Sequence, residues 1–114
     1  MAWNSASFES ILAMILAVLF AAAGVVNLAR RGAAKRDFAR WGYPAWFQLL
    51  CGALELFSAG LLLGQQTRVL GLTLAGAIMI GALFTLVRNR EPFRHLAPAL
   101  IFSALIVVTV AVRG

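Results

Sequence analysis

The chain has little of what most catalytic and metal sites are built from. Among its 114 residues there are one cysteine, one histidine and four acidic residues. A single cysteine, Cys51, excludes an intrachain disulfide. Cys51 and His95 lie far apart in the sequence and do not read as a metal-ligand pair. No GxGxxG, phosphate-binding loop, HExxH or CxxC pattern occurs. No metal site and no cofactor are therefore evident in the chain. Charge is also scarce, at 12% of residues against roughly 25% in ordinary soluble domains. A chain that is 62% hydrophobic cannot cover itself with polar surface in water, so lipid is the expected solvent. Of the charge present, ten residues are Lys or Arg, for a net +6. In a soluble protein that balance would suggest nucleic acid. Here the basic residues sit in short clusters between apolar runs, so they are expected to set topology and to contact anionic headgroups. No nucleic-acid partner is expected.

Apolar runs fill most of the rest. A membrane span needs about 20 mostly apolar residues, and four windows qualify: about 8–29, 43–64, 68–87 and 93–112. They predict an all-α fold, a polytopic four-transmembrane-helix bundle in a single domain covering 1–114. The first window contains Ala21-Ala22-Ala23, which resembles a signal-peptidase site. Basic residues follow it rather than precede it, so it reads as a retained helix. The loop over 30–42 carries Arg30, Arg31, Lys35, Arg36 and Arg40. The loop over 88–92 carries Arg88 and Arg90, with Arg94 just beyond. Only Arg68 and Arg113 fall on the opposite side, a bias of eight to two. The positive-inside rule makes these two loops cytoplasmic and both termini external, N-out and C-out.

Within the first loop, Ala34, Phe38 and Trp41 fall on one helical face, away from Lys35, Arg36 and Arg40. That spacing suits either a short interfacial helix or a plain charged loop. Trp41, Tyr43 and Trp46 suit the headgroup belt, and Pro44 suits a first helical turn. Small residues predict where helices approach: Ala13, Ala17 and Ala21 in the first span, Gly52, Gly60 and Gly64 in the second, and Gly71 and Gly81 in the third. Bulk in the fourth span places it peripherally.

Polar residues inside apolar spans are the candidates for function. On the second span Gln48, Cys51, Gly52, Glu55 and Ser58 recur at three- and four-residue spacing, which makes one small, polar face. Glu55 falls about 18 Å into its helix, near the midplane. A carboxylate there costs roughly 3 kcal/mol, so it must find a partner or keep its proton. No lysine or arginine lies at that depth, so a held proton and a hydrogen bond are expected. Either a register-fixing bond or proton chemistry would account for it. Asn27, Gln48, Thr85 and His95 fall in the cytoplasmic third. They would either line a vestibule toward Glu55 or cap helix ends. Glu9 is expected to be a solvated helix-end residue.

Several segments resemble the DoxX-like family of small bacterial membrane proteins. They are Phe20-Ala21-Ala22-Ala23-Gly24, Gly42-Tyr43-Pro44-Ala45-Trp46, Gly52-Ala53-Leu54-Glu55-Leu56, Gly60-Leu61-Leu62-Leu63, Gly81-Ala82-Leu83-Phe84-Thr85 and Arg90-Glu91-Pro92. The resemblance implies a four-helix membrane fold and a bacterial inner-membrane location. It implies membrane redox systems using thiosulfate and quinone in some relatives, and chaperone-like roles in others. Two positions depart from the pattern: Asn27 stands where the family often has Lys, and Leu86 where it often has His. The resulting expectation is an accessory or assembly subunit of a larger, redox-type membrane complex, with no catalytic activity of its own. Its partners would be other membrane subunits or further copies of itself. The alternatives are a quinone-linked oxidoreductase subunit and a small proton-coupled transporter using Glu55.

Overall fold

The computed structural model describes residues 5–29 and 32–113. They form five helices: α1 (Ser5–Ala29), α2 (Gly32–Arg40), α3 (Ala45–Leu63), α4 (Arg68–Arg88) and α5 (Phe93–Arg113). Four of these are long and apolar enough to cross a membrane: Ser7–Ala29, Ala45–Leu63, Arg68–Arg88 and Phe93–Arg113. At about 1.5 Å per residue, 19 to 23 residues give lengths near the 30 Å hydrocarbon core. The expected four-span bundle is the observed one.

Connectivity follows from loop length. The turn 64–67 is tight, and Thr67 seals it by donating its hydroxyl to Leu61 O (2.8 Å) and Gly64 O (3.3 Å). Those carbonyls end α3 and have no helical donor of their own. α1 packs chiefly on α3, α3 on α4, α4 on α5, and α5 back on α1. The four spans thus form a ring, with α1 opposite α4 and α3 opposite α5.

The core is narrow. Leu16, Ala17 and Phe20 of α1 meet Ala59 and Leu62 of α3, Leu72, Ala75 and Met79 of α4, and Ile106 of α5. Phe20 tilts against Phe102 with ring centroids 5.4 Å apart. α5 buries only Ala99, Ile106 and Thr109 among its described residues, which matches its expected peripheral place. It also carries Pro98 in its second turn, where the missing N–H leaves the Arg94 carbonyl without a helical donor. Val18, Phe57, Ile80 and Val107 are among the apolar side chains that face outward, as lipid requires.

Two helix backbones come close where α1 crosses α3. A methyl group added at Gly24 would stand 2.8 Å from Gly52 O, and one at Gly52 would stand 2.8 Å from Gly24 O. Gly71 is similarly tight against Leu62 N of α3, at 2.9 Å. Three other glycines expected at helix contacts are placed differently. Gly60 and Gly81 are exposed, with nothing within 4 Å of an added methyl. Gly64 meets only Thr67 of its own turn. Spacing of small residues counts candidates but does not fix which side of a helix turns inward.

Between α1 and α3 the short α2 is a helix rather than a plain loop. Phe38 of α2 stacks near Trp41, Tyr43 and Phe47 with centroids 5.6 to 6.3 Å apart, while Lys35 and Arg36 point to solvent. The side chain of Ala34, expected on the same face, lies outside the described residues, as do Arg30 and Arg31. Pro44 is the N-cap residue of α3, extended at φ −70° and ψ 160°, one position ahead of the first turn. Trp46 is well exposed beside it.

Candidate functional site

The polar face of α3 turns into the bundle. Gln48, Gly52, Glu55, Ser58, Ala59 and Leu62 are its buried residues, and the three- and four-residue spacing explains why they act together. Asn27 of α1 meets this face and donates its amide to Glu55 Oε1 at 2.6 Å. Gln48 donates to Asn27 Oδ1 at 3.4 Å. The geometry follows from helix direction. Helical side chains lean toward their own N-terminus, and α1 and α3 run antiparallel. Asn27 therefore leans toward Gly24, and Glu55 leans toward Gly52. The two meet over the glycine crossing, which brings the backbones close enough for short side chains to bridge. Cys51 lies one turn from Glu55 as a free, half-buried thiol.

Ser58 is different from three other hydroxyls in the spans. Thr73, Ser103 and Thr109 each donate to the carbonyl four residues earlier, at 2.7 to 2.9 Å. Ser58 Oγ is fully buried and has no hydrogen-bond partner among the described residues. A polar group so placed costs about 1–3 kcal/mol.

The two ends of the bundle carry ionic ties. At the end bearing the termini, Glu9 of α1 is 9% exposed. It accepts from Arg113 of α5 at 2.6 Å and lies 3.6 Å from Arg68 of α4. Arg68 is only 4% exposed and also donates through Nε to Leu62 O of α3 at 2.9 Å. The solvated helix-end role expected of Glu9 is therefore corrected: its carboxylate draws α1, α4 and α5 together. An acid one turn into α1 sits at the level where the first residue of α4 and the last of α5 also end. That coincidence requires the folded ring.

At the other end, Arg40 closes α2 onto the α4–α5 turn. Its guanidinium donates to both oxygens of Glu91, at 2.6 and 3.3 Å, and to Asp37 at 2.7 Å. His95 Nδ1 meets Glu91 Oε1 at 2.6 Å. Arg40 first, and His95 second, hold the Glu91 carboxyl at about 2, well below its usual 4.5. Opposite partners this close favour the ionised acid.

A family model described as the DoxX-like family matches residues 11–109, from the first turns of α1 almost to the end of α5. The chain belongs to the DoxX-like family. Comparison with curated proteins and with solved structures found no match.

The DoxX-like bundle divides the expected site residues into three groups. Asn27, Gln48 and Glu55 come together as one hydrogen-bonded strip, with Cys51 and Ser58 on the same face. Thr85 does not join them: its hydroxyl pairs with Tyr43 OH at 2.8 Å, tying the entry of α3 to the end of α4. His95 does not join them either, being exposed and bound to Glu91. The proposed vestibule of four polar residues is thus reduced to Asn27 and Gln48, while Thr85 and His95 serve helix ends. Sequence reasoning missed Arg68, Arg113, Arg40 and Glu91 as tying residues. Among the described residues no group of three or more His, Cys, Asp and Glu could hold a metal ion.

Proposed function

We propose that this DoxX-like protein is an accessory or assembly subunit of a larger complex in the bacterial inner membrane, with its basic loops toward the cytoplasm and its anionic headgroups. The observation that supports it is what the chain does with its acids. All four take part in ties. Glu9 joins α1 to α5 and α4, Glu55 joins α3 to α1, Glu91 joins the α4–α5 turn to α2, and Asp37 braces Arg40. A bundle that uses its ionisable groups to hold shape is suited to presenting apolar faces to neighbours. Native electrophoresis of the tagged protein, extracted in mild detergent from its own membranes, tests this. A band well above small multiples of 12.2 kDa, with reproducible membrane subunits in it, is expected. Migration only as a monomer or homodimer would refute the subunit role.

One observation favours a second reading. The strip of Asn27, Gln48 and Glu55, with Ser58 beside it and without a partner among the described residues, offers donors and acceptors inside the hydrocarbon region. A quinone headgroup or a carried proton would use such groups, as a quinone-linked subunit or a small transporter would require. Glu55→Gln separates the roles. It keeps shape and hydrogen bonding while removing the proton. If Glu55 only fixes helix register, Gln is tolerated and Glu55→Leu lowers stability by about 0.6–2 kcal/mol. Loss of function in a folded Gln variant would instead establish proton or ligand chemistry.

A further inference from the structure

The α4–α5 turn contains an arginine where its backbone asks for glycine. α4 ends at Arg88, and Arg90 follows with φ +55°. Arg90 N–H bonds Val87 O and Glu91 N–H bonds Leu86 O, both at 3.0 Å. These are the paired bonds of a Schellman motif, whose left-handed position is usually glycine because a Cβ is crowded there. The same motif ends α2, with Gly42 N–H on Ala39 O and Tyr43 N–H on Phe38 O, also at 3.0 Å. There the left-handed residue is Gly42, at φ +85°. One chain thus solves one backbone problem twice, once with glycine and once with arginine. Backbone strain retained at a surface position points to a use for the side chain.

The surroundings indicate that use. Lys35, Arg36, Arg88, Arg90 and Arg94 are all exposed at this end. None of the five forms an ion pair among the described residues. Both acids at this end are engaged elsewhere, Asp37 on Arg40 and Glu91 on Arg40 and His95. The Glu91 side chain is only 5% exposed. The Arg40–Glu91 pair also fastens α2 to the α4–α5 turn, so bases from two separate segments share one edge. Trp46 and Phe93, both strongly exposed, stand at the adjoining helix starts, where aromatic rings mark the headgroup level.

We propose that this edge is an organised binding rim for the phosphate-bearing headgroups of anionic phospholipids, with Arg90 as a direct contact and the Arg40–Glu91 pair as its positioning element. The inference rests on the headgroup contact proposed above and specifies it. Exposed basic side chains at the ends of membrane-spanning helices match lipid phosphates in charge. Glu91 contributes by binding Arg40, which places α2, and by being covered, which keeps its negative charge away from the rim.

The test is thermal unfolding in nanodiscs of phosphatidylcholine alone and of phosphatidylcholine mixed equally with phosphatidylglycerol. The protein should melt higher in the mixed lipid, and Gln at all five basic positions should abolish that increment. Arg90→Gly should raise the melting temperature in phosphatidylcholine, because the strain is relieved, and should shrink the increment. Arg90→Gln should shrink the increment without the gain. Glu91→Gln distinguishes a rim from net charge. It makes the protein more basic, so simple attraction predicts a larger increment, whereas loss of the α2 tie predicts a smaller one. An absent increment in the unmodified protein, an increment that survives the five substitutions, an unchanged increment in both Arg90 variants, or a larger one in Glu91→Gln would each overturn the proposal. Both leaflets of these discs carry the same lipid. A wrong membrane orientation therefore leaves these results intact and is detected separately, by cysteine accessibility.

Discussion

The crossing of α1 over α3 allows a prediction in which competing effects cancel. Consider Gly24→Ala and Gly52→Ala beside Gly60→Ala and Gly81→Ala. All four replace a helical glycine by alanine, and each gains about 1 kcal/mol of helix propensity. At Gly60 and Gly81 nothing lies within 4 Å of the added methyl, so the gain should stand alone. At Gly24 the methyl would sit 2.8 Å from Gly52 O and 2.8 Å from Leu56 Cγ. The leucine can rotate, but the carbonyl belongs to a helix backbone. To reach the 3.4 Å of ordinary contact the helices must part by 3.4 − 2.8 = 0.6 Å. A shift of that size costs about 1–3 kcal/mol in a packed interior. It also stretches the 2.6 Å bond from Asn27 to Glu55, which spans the same crossing.

Subtracting the stability change of Gly60→Ala from that of Gly24→Ala removes the propensity gain and leaves the crowding cost, about 1–3 kcal/mol. The assay is reversible unfolding in mild detergent followed by circular dichroism. Gly60→Ala and Gly81→Ala should be neutral or stabilising, while Gly24→Ala and Gly52→Ala should fall below them. Equal stability of all four variants would mean that α1 and α3 do not meet at these glycines. The Asn27–Glu55 bridge would then lose its geometric basis.

Three further outcomes are expected. A cysteine placed at Gln66 should label from outside the cell and one at Ala33 only after the membrane is opened; the reverse pattern would invert the orientation. Glu9→Gln should destabilise the bundle by about 1–3 kcal/mol, less than the 3–5 of a fully buried pair because Arg113 is partly exposed. Adding Arg113→Gln should recover part of that loss, and a Glu9→Gln protein that melts like the unmodified one would refute the tie. The pH response of the Arg40–Glu91 pair has a definite sign. The folded carboxyl titrates at about 2, below its ordinary 4.5, so its stabilisation is complete above 4.5 and is lost as pH falls through about 2. The melting difference between the unmodified protein and Glu91→Gln should therefore hold steady from neutral pH to about 4.5 and close toward 2; closure at neutral pH would contradict an ionised, paired Glu91.

Much of the bundle was legible because span length and apolarity are local properties. About twenty apolar residues announce a span whatever they pack against, and four such windows in an all-helical chain leave few arrangements. Glu55 was legible for the same reason, since depth is a count along one helix. Helix rotation is not local in that sense, yet part of it was available. Taking Glu55 as inward, at 100° per residue, Gln48, Ala59 and Leu62 fall within about 40° of it, whereas Gly60 falls about 140° away. The polar face had already indicated that Gly60 looks outward; counting GxxxG spacings alone concealed it. Gly52 was legible as a packing residue on the small, polar face, but Gly24 was harder to find, because it is a single glycine and its contact exists only once two helices cross at one height.

The ionic ties were the least legible part, for a reason that also explains their arrangement. Glu9 and Arg113 are 104 residues apart, and no local pattern links them. They meet because α1 begins where α5 ends and the ring closes between them. Arg68 read only as one of two bases on the external side, but the turn before it is so tight that its side chain folds beneath the end of α3. Three of the four acids join elements that are not consecutive in the chain: Glu9 joins α1 with α4 and α5, Glu55 joins α1 with α3, and Glu91 joins α2 with the α4–α5 turn, while Asp37 braces Arg40 within α2. Short loops already hold α3 to α4 and α4 to α5. The pairs that loops leave unfastened are the ones that need side-chain bonds, and three of the four acids of this chain occur at those pairs.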